Sequence, residues 1–295
     1  MSIVQSRYSI VVGPGTYNEG VSNDRQNQPA PHSLQLIADV TGAQTGDHAG
    51  AVIVDASNSV TGAGFRLTNS SDSVIDGFTI VGGSDGAVVI KTGSTNLAVR
   101  NCLVHDSPGD GIRIQDSANV TIFNNLVYGN GGFGIGLVGQ GAGSPNGRVF
   151  QNTIYGNGDR GITVGTSGPD SPGASIRNNI IENNGLGFTP NRENIKVFSG
   201  SLSGTDEDYN LVFPATYLPA NLPGPQSHDI NADAAFVGAS ADNFHLSKAN
   251  PKSPAIDAGG PLNIGDEWIT ILHQRTTTGT NLDTGTLDLG FHFLR

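Results

Sequence analysis

Five lines of sequence decide the fold: GFRLTNSSDSVIDGFTIVGGSD (64–85), AVVIKTGSTNLAVRNCLVHDSPGD (87–110), GIRIQDSANVTIFNNLVYGNGGF (111–133), GIGLVGQGAGSPNGRVFQNTIYGNGDR (134–160) and GITVGTSGPDSPGASIRNNII (161–181). They start at Gly64, Ala87, Gly111, Gly134 and Gly161, so the spacings are 23, 24, 23 and 27 residues. A period of this size marks a repeat architecture whose units bury their apolar faces against one another. Each line holds three short runs of alternating apolar residues separated by turn residues, which is strand periodicity. Three strands per line make one coil, and stacked coils make three parallel sheets. The chain reads as all-β, a parallel solenoid.

The columns formed by aligning the lines carry the same message. Phe65, Val88, Ile112, Ile135 and Ile162 share one column, and Leu67, Ile90, Ile114, Leu137 and Val164 the next. Ile75, Val99, Ile122, Val149 and Ile176 form a third, and Ile80, Val104, Val127, Ile154 and Ile181 a fourth. In a strand, i and i+2 share a face, so these columns line the interior. Between the third and fourth stands Phe78, Cys102, Asn125, Asn152, Asn179, continued by Asn210. An amide repeated at one corner bonds to the backbone and to the amide stacked on it, and Asn tolerates the left-handed conformation a tight corner needs. The expectation is an inward stack, with Asn152→Ala costing about 1–3 kcal/mol through unsatisfied neighbours.

These residues resemble the asparagine ladder of right-handed parallel β-helices, the pectate-lyase-like superfamily. That resemblance spans most of the chain and implies an architecture, with function left to the site. It also implies an exported protein, although MSIVQSRYSIVVG lacks the features of a secretory signal.

Composition agrees. The 295 residues include 42 Gly and 6% aromatics, and no apolar run reaches the ~20 residues of a membrane helix. Cys102 is the single cysteine, so no intramolecular disulfide forms; its column makes it a buried thiol. The net charge of −11 argues against nucleic acid, which wants a basic stripe. Binding a polyanion such as pectate or alginate would need a local cationic patch or bridging Ca²⁺.

Outward from the repeats, YSIVVGPGTYNEG (8–20) reads as an opening coil, its Gly13-Pro14-Gly15 forcing a turn. Only a short segment precedes it. The unpaired edge of Ile10–Val12 is therefore expected to fray, or to associate with another copy. Ser22–His32 reads as a polar loop, and His48 beside Asp47 lies on a solvated excursion between the strands at Leu34–Leu36 and Val52–Val54. Past the repeats, Asn194–Val197 and Tyr209–Val212 continue the coils. FPATYLPANLPGPQ then loses the period, and its prolines argue against a central strand. The coils are assigned to residues 1–213. Residues 214–295 are read as an irregular last coil and a cap lying against the helix and shielding its end. DYNLVF, NFHLSKANPKSPAIDAGG and LDTGTLDLGFHF resemble the C-terminal module of bacterial surface β-helix proteins.

In the superfamily this chain resembles, ligands lie along the sheet that opens each line. One outward column there is Arg66, Val89, Arg113, Gly136, Thr163, continued by Lys196; its neighbour is Thr68, Lys91, Gln115, Val138, Gly165. Arg66 and Arg113, two strands apart, are separated by roughly 10 Å with Lys91 between them. Three cations on one face point to docking of a sugar carboxylate or sulfate, or to a solubilising face paired with acids. Arg66, Lys91, Arg113, Gln115 and Lys196 are the candidate glycan contacts. The loop entering that sheet carries Asp85, Asp110, Asp159 and Arg160, and the loop before it His105-Asp106, Tyr128, Tyr155 and Glu182. His105, Asp110 and Arg113 are the catalytic candidates, because an acid, a base and a cation at one corner would suit hydrolysis or β-elimination.

The motifs of the superfamily's enzymes are missing: the NTD, DD and GHG of polygalacturonase-like chains, the DPHE of mannuronan epimerases, the vWIDH and RxPxxR pair of pectate lyases, and NGxE of alginate-lyase-like chains. Asp206 and Asp208 in GTDEDYN are weak Ca²⁺ candidates, or a solvated turn. Two functions stay open: an extracellular or cell-surface β-helix that binds glycans or builds an assembly, and a polysaccharide lyase or glycoside hydrolase acting along this sheet.

Overall fold

The computed structural model describes residues 7–24, 33–186, 193–218, 227–262, 271–272, 274–278 and 282–293. Among the described residues, three eight-stranded parallel sheets run from Arg7 to Leu218, each taking every third strand. Sheet A starts at Arg7–Val12 and ends at Asp206–Asp208. Sheet B runs from Gly15–Tyr17 to Leu211–Phe213, and sheet C from Val21–Asp24 to Tyr217–Leu218. One strand from each makes a coil, numbered 1 to 8. The solenoid therefore extends past the expected boundary at 213, because Tyr217–Leu218 still pairs with Ile195–Val197 in sheet C.

Register follows the columns: Phe65 faces Val88, which faces Ile112, which faces Ile135, which faces Ile162. All four apolar columns are buried in one continuous core. Strands of three residues bury little alone, so each coil depends on its neighbours for stability.

Stacked polar side chains hold the corners. Between sheets A and B, Asn152 Oδ1 accepts from the Asn125 backbone at 2.9 Å and from Asn125 Nδ2 at 3.0 Å, while its own Nδ2 donates to Asn179 Oδ1 at 3.0 Å. Asn179 bonds Asn210 in the same way. Cys102 N–H donates to Asn125 Oδ1 at 3.0 Å, and burial pushes the thiol up to about 12, so it is no nucleophile. The left-handed conformation belongs to the residue before each member: φ is +56° at Asn101, +53° at Asn124, +54° at Gln151 and +58° at Asn178. A second stack, not anticipated, joins Asn130, Asn157, Asn184 and Asn194 at the corner between sheets B and C. Serines serve the third corner, where Ser144 N–H donates to Ser171 Oγ and Ser171 N–H to Ser201 Oγ, both at 2.8 Å.

The tail corrects an expectation. Residues 228–230 do meet the last coil: Asp229 Oδ1 accepts from Asn210 N–H at 2.8 Å, and Ile230 bridges Leu211. The rest of the described tail, instead of shielding the end, runs back along the flank over sheets A and B. Leu289 and Leu246 pack on Ile180 and Leu211; Phe244 and Phe291 pack on Leu126. The reason lies in the outward residues there, which are apolar where a solvated sheet would carry charge. The left-handed amides grip the tail backbone. Asn178 and Gly260 exchange two bonds of 2.9 Å, and Asn124 takes His292 N–H at 2.6 Å and returns one to His292 O at 3.0 Å. Asn178→Gly keeps the positive φ and loses only the amide. It is expected to cost about 2 kcal/mol, because two buried backbone groups of Gly260 lose their partner. Limited proteolysis tests this, with the variant nicked in the tail before the solenoid.

At the other end, the edge expected at Ile10–Val12 belongs to the first strand of sheet A, which pairs with Ser33–Ala38. Tyr8 and Ile10 are 54% and 49% exposed. Residues 1–6 and the core of the loop at 25–32 lie outside the described residues.

Candidate functional site on the outer face of sheet C

The two outward columns form as read. Arg66, Val89, Arg113, Gly136, Thr163 and Lys196 are in register across coils 2 to 7, and Thr68, Lys91, Gln115 and Val138 beside them. What differs is the state of the cations. Asp85, from the loop entering the coil 3 strand, reaches back over the sheet and collects all three. Arg66 Nη2 lies 2.6 Å and Lys91 Nζ 3.9 Å from its Oδ2, and Arg113 Nη2 bonds its Oδ1. Arg113 Nη1 is also 3.2 Å from Asp110 Oδ2. Arg66 Nη2 donates to Thr61 O as well. Of the two readings the sequence offered, cations paired with nearby acids is the one found, in place of an open patch for an acidic glycan. Val89, outward in the sequence reading and in register between the two arginines, is fully buried.

The two carboxylates differ. Burial alone would raise Asp85, but hydrogen bonds and charge from Arg113 and Arg66 hold it below the usual carboxylate range. Burial raises Asp110, and the Phe133 N–H at 2.9 Å and the Arg113 charge only partly offset it. One guanidinium thus joins a carboxyl shifted down to one shifted up.

Beyond this network the face opens into a groove of about 230 Å³ crossing coils 4 to 7. Arg113, Gln115 and Arg160 line it with Phe133, Thr163 and Phe198. The Phe133 ring packs closely against Gly136, where a Cβ would stand 3.2 Å from it. Arg160 Nε is 2.7 Å from Glu193, and Lys196 Nζ sits 5.1 Å over the Phe198 ring. Thr163 Oγ1 is buried and has no hydrogen-bond partner among the described residues. Phe133 and Phe198 escaped the sequence reading. Their signal was an aromatic beside a glycine line start and one just after a sheet C strand, in a chain with few aromatics.

His105 does not join Asp110 and Arg113. It ends the coil 4 strand of sheet B, stacks on Tyr128 at 4.8 Å between ring centroids, and bonds Asp106 through Nδ1 at 2.8 Å. Tyr128 in turn packs on Phe244 of the tail. The period-2 alternation that turns Val104 inward turns His105 out on sheet B, under the tail's edge. The Ca²⁺ candidates are engaged too. Asp206 takes a two-point bond from Arg177 at 2.6 and 2.7 Å, and Asp208 lies 2.9 Å from His228 Nδ1. Among the described residues no group of three His, Cys, Asp or Glu is placed to hold a metal, and no helix is long and apolar enough to cross a membrane.

Residues 42–144 match the family model described as the right handed beta helix region. No curated protein matches the sequence. Among solved structures, the pectate lyase Pel9A is similar at 14% identity, TM-score 0.48, over 96% of this chain and 86% of that one. A rhamnogalacturonan lyase is similar at 13% identity, TM-score 0.44, over 89% of this chain and 90% of that one. The periplasmic alginate epimerase AlgG is similar at 15% identity and TM-score 0.41, over 69% of this chain. The match spans 44% of the epimerase, less than half its length. The three parallel sheets and the match of residues 42–144 together give the chain a right-handed parallel β-helix fold.

Proposed function

We propose that this protein binds oligosaccharide chains in the sheet C groove, as an extracellular or cell-surface β-helix. The observation that carries the reading is the composition of the groove: two aromatic rings, arginines already fixed by carboxylates, an amide, and a buried hydroxyl with no partner among the described residues. Sugar rings offer apolar C–H faces that pack on aromatic rings, and hydroxyls that both donate and accept. A fixed Arg–Asp pair presents a donor and an acceptor in one rigid unit, which suits hydroxyls better than a lone anion. Because Asp85 and Asp110 already hold the cations, neutral or weakly acidic glycans fit better than strongly acidic ones. The location follows from where such chains occur.

A second reading is catalysis at Asp85 and Asp110, favoured by their opposite displacements across Arg113. Environments that push two acids apart are how acid and base roles are divided.

A glycan array followed by titration of the best oligosaccharide tests both. Phe133→Ala and Arg113→Ala are each expected to weaken binding at least tenfold, roughly 1.4 kcal/mol. Unchanged affinity in both variants would overturn the groove reading. Release of reducing ends, or ultraviolet absorbance from unsaturated products, lost in Asp110→Asn, would select catalysis.

A further inference from the structure

The fold leaves two polar side chains of the sheet C groove unused. Gln115 is 6% exposed, lines the groove, and makes no side-chain hydrogen bond among the described residues. Thr163 is 1% exposed, and its hydroxyl has no partner among them either. Buried amides and hydroxyls are rarely left without a partner, so two in one groove point to a ligand that supplies it. The cations beside them are already matched. Arg113 is held by Asp85 and Asp110, and Arg160 by Glu193 at 2.7 Å and Asp159 at 3.5 Å. A carboxylate, sulfate or ammonium on the ligand would have to break one of these pairs and leave a charge uncompensated. The chemistry that fits is neutral. Apolar surface adjoins the amide: Gln115 and Val138 are partners on adjacent strands, about 4.8 Å apart, and Val138 lines the same groove.

We propose, resting on the groove reading, that the sugar unit bound there is an N-acetylated amino sugar, with its acetamido group against Gln115 and Val138. An acetamido group carries a carbonyl, an N–H and a methyl. A primary amide side chain is donor and acceptor at once, so it meets both polar atoms. The methyl then leaves water for the valine face. A hydroxyl in the same place is a single atom that meets one end of the amide and leaves the valine wet. Thr163, two strands on from Gln115, takes a ring hydroxyl, and Phe133 and Phe198 take the C–H faces of the sugar.

Calorimetric titration of the full chain with two trisaccharides tests this: the trimer of N-acetylglucosamine, and cellotriose, which has the same backbone with a hydroxyl for each acetamido group. The acetylated trimer is expected to bind at least about tenfold tighter. Gln115→Leu should lose that preference and bind cellotriose as the parent does, which also shows that the variant is folded. Thr163→Val and Phe133→Ala should weaken both trimers and keep the preference. Equal binding of the two trimers, no binding of the acetylated one, or a preference that survives Gln115→Leu would each overturn the acetamido assignment. The groove itself would still stand if Phe133→Ala weakened whichever oligosaccharide binds. Full affinity for the acetylated trimer in Phe133→Ala would place binding elsewhere and overturn both.

Discussion

Asn152→Ala is expected to lower the stability of the fold by about 3–5 kcal/mol, more than the sequence alone suggested, because it strands two buried donors at ~1–3 kcal/mol each. Asn152 Oδ1 is the acceptor for both the backbone N–H and the Nδ2 of Asn125, and its Nδ2 serves Ile122 O, Phe150 O and Asn179 Oδ1. Asn152 is fully buried, so no water reaches the groups left behind. The exposed stack of Asn96, Asn119 and Asn146 is the control. Its amides bond at 3.1 Å, yet solvent can replace them, and Asn119→Gly preserves the positive φ. That variant is expected to cost less than about 0.5 kcal/mol. Denaturant midpoints at constant slope measure both. Equal losses would mean that stacking itself, and not burial, sets the value.

Glu207→Gln is expected to stabilise the protein, and by an amount that grows with pH. Glu207 takes the position after Ile176 in an inward column and is buried at the last coil, where Asn210 Nδ2 donates to its Oε1 at 2.7 Å. Burial, with the Asp229 charge beside it, pushes the carboxyl from 4.5 up to about 9. The folded state therefore keeps a proton that the unfolded chain releases. Stability falls as pH rises from about 4.5 to about 9 and levels beyond, the reverse of a paired carboxylate. Glutamine keeps the acceptor for Asn210 and cannot ionise. The variant should match the parent near pH 4 and exceed it by on the order of 3 kcal/mol near pH 9. Thermal melts across this range check the sign. A variant less stable at alkaline pH would mean that Glu207 is ionised and satisfied in the fold.

The architecture was legible because two periods coincide. Alternation within a strand and a repeat of 23 to 27 residues put Phe65 through Ile162 in one line, and nothing else in the sequence competes with that pattern. The second asparagine stack was equally readable in YGN, YGN and ENN at spacings of 27, but it lies just past each apolar column, outside the runs that were aligned. The tail's path was not readable. Asn124 and His292 are 168 residues apart, and their bond obeys no repeat. The site was half legible. Register follows from the strands, so the column of Arg66, Arg113 and Lys196 was correct. Pairing depends on rotamers and loop reach, so the choice of Asp85 as the acid contacting all three cations could not be read from spacing. His105 and Asp110, five residues apart, looked like neighbours, but the corner between them sends one to sheet B and the other to sheet C.

Hydrogen exchange with and without the best-binding oligosaccharide distinguishes a ligand face on sheet C from one elsewhere on the solenoid. Slower exchange is expected in peptides covering 110–115, 133–138, 160–166 and 195–198, with sheets A and B and the tail unchanged. Protection confined to the flank under the tail, or to the first coil, would contradict the assignment of the groove.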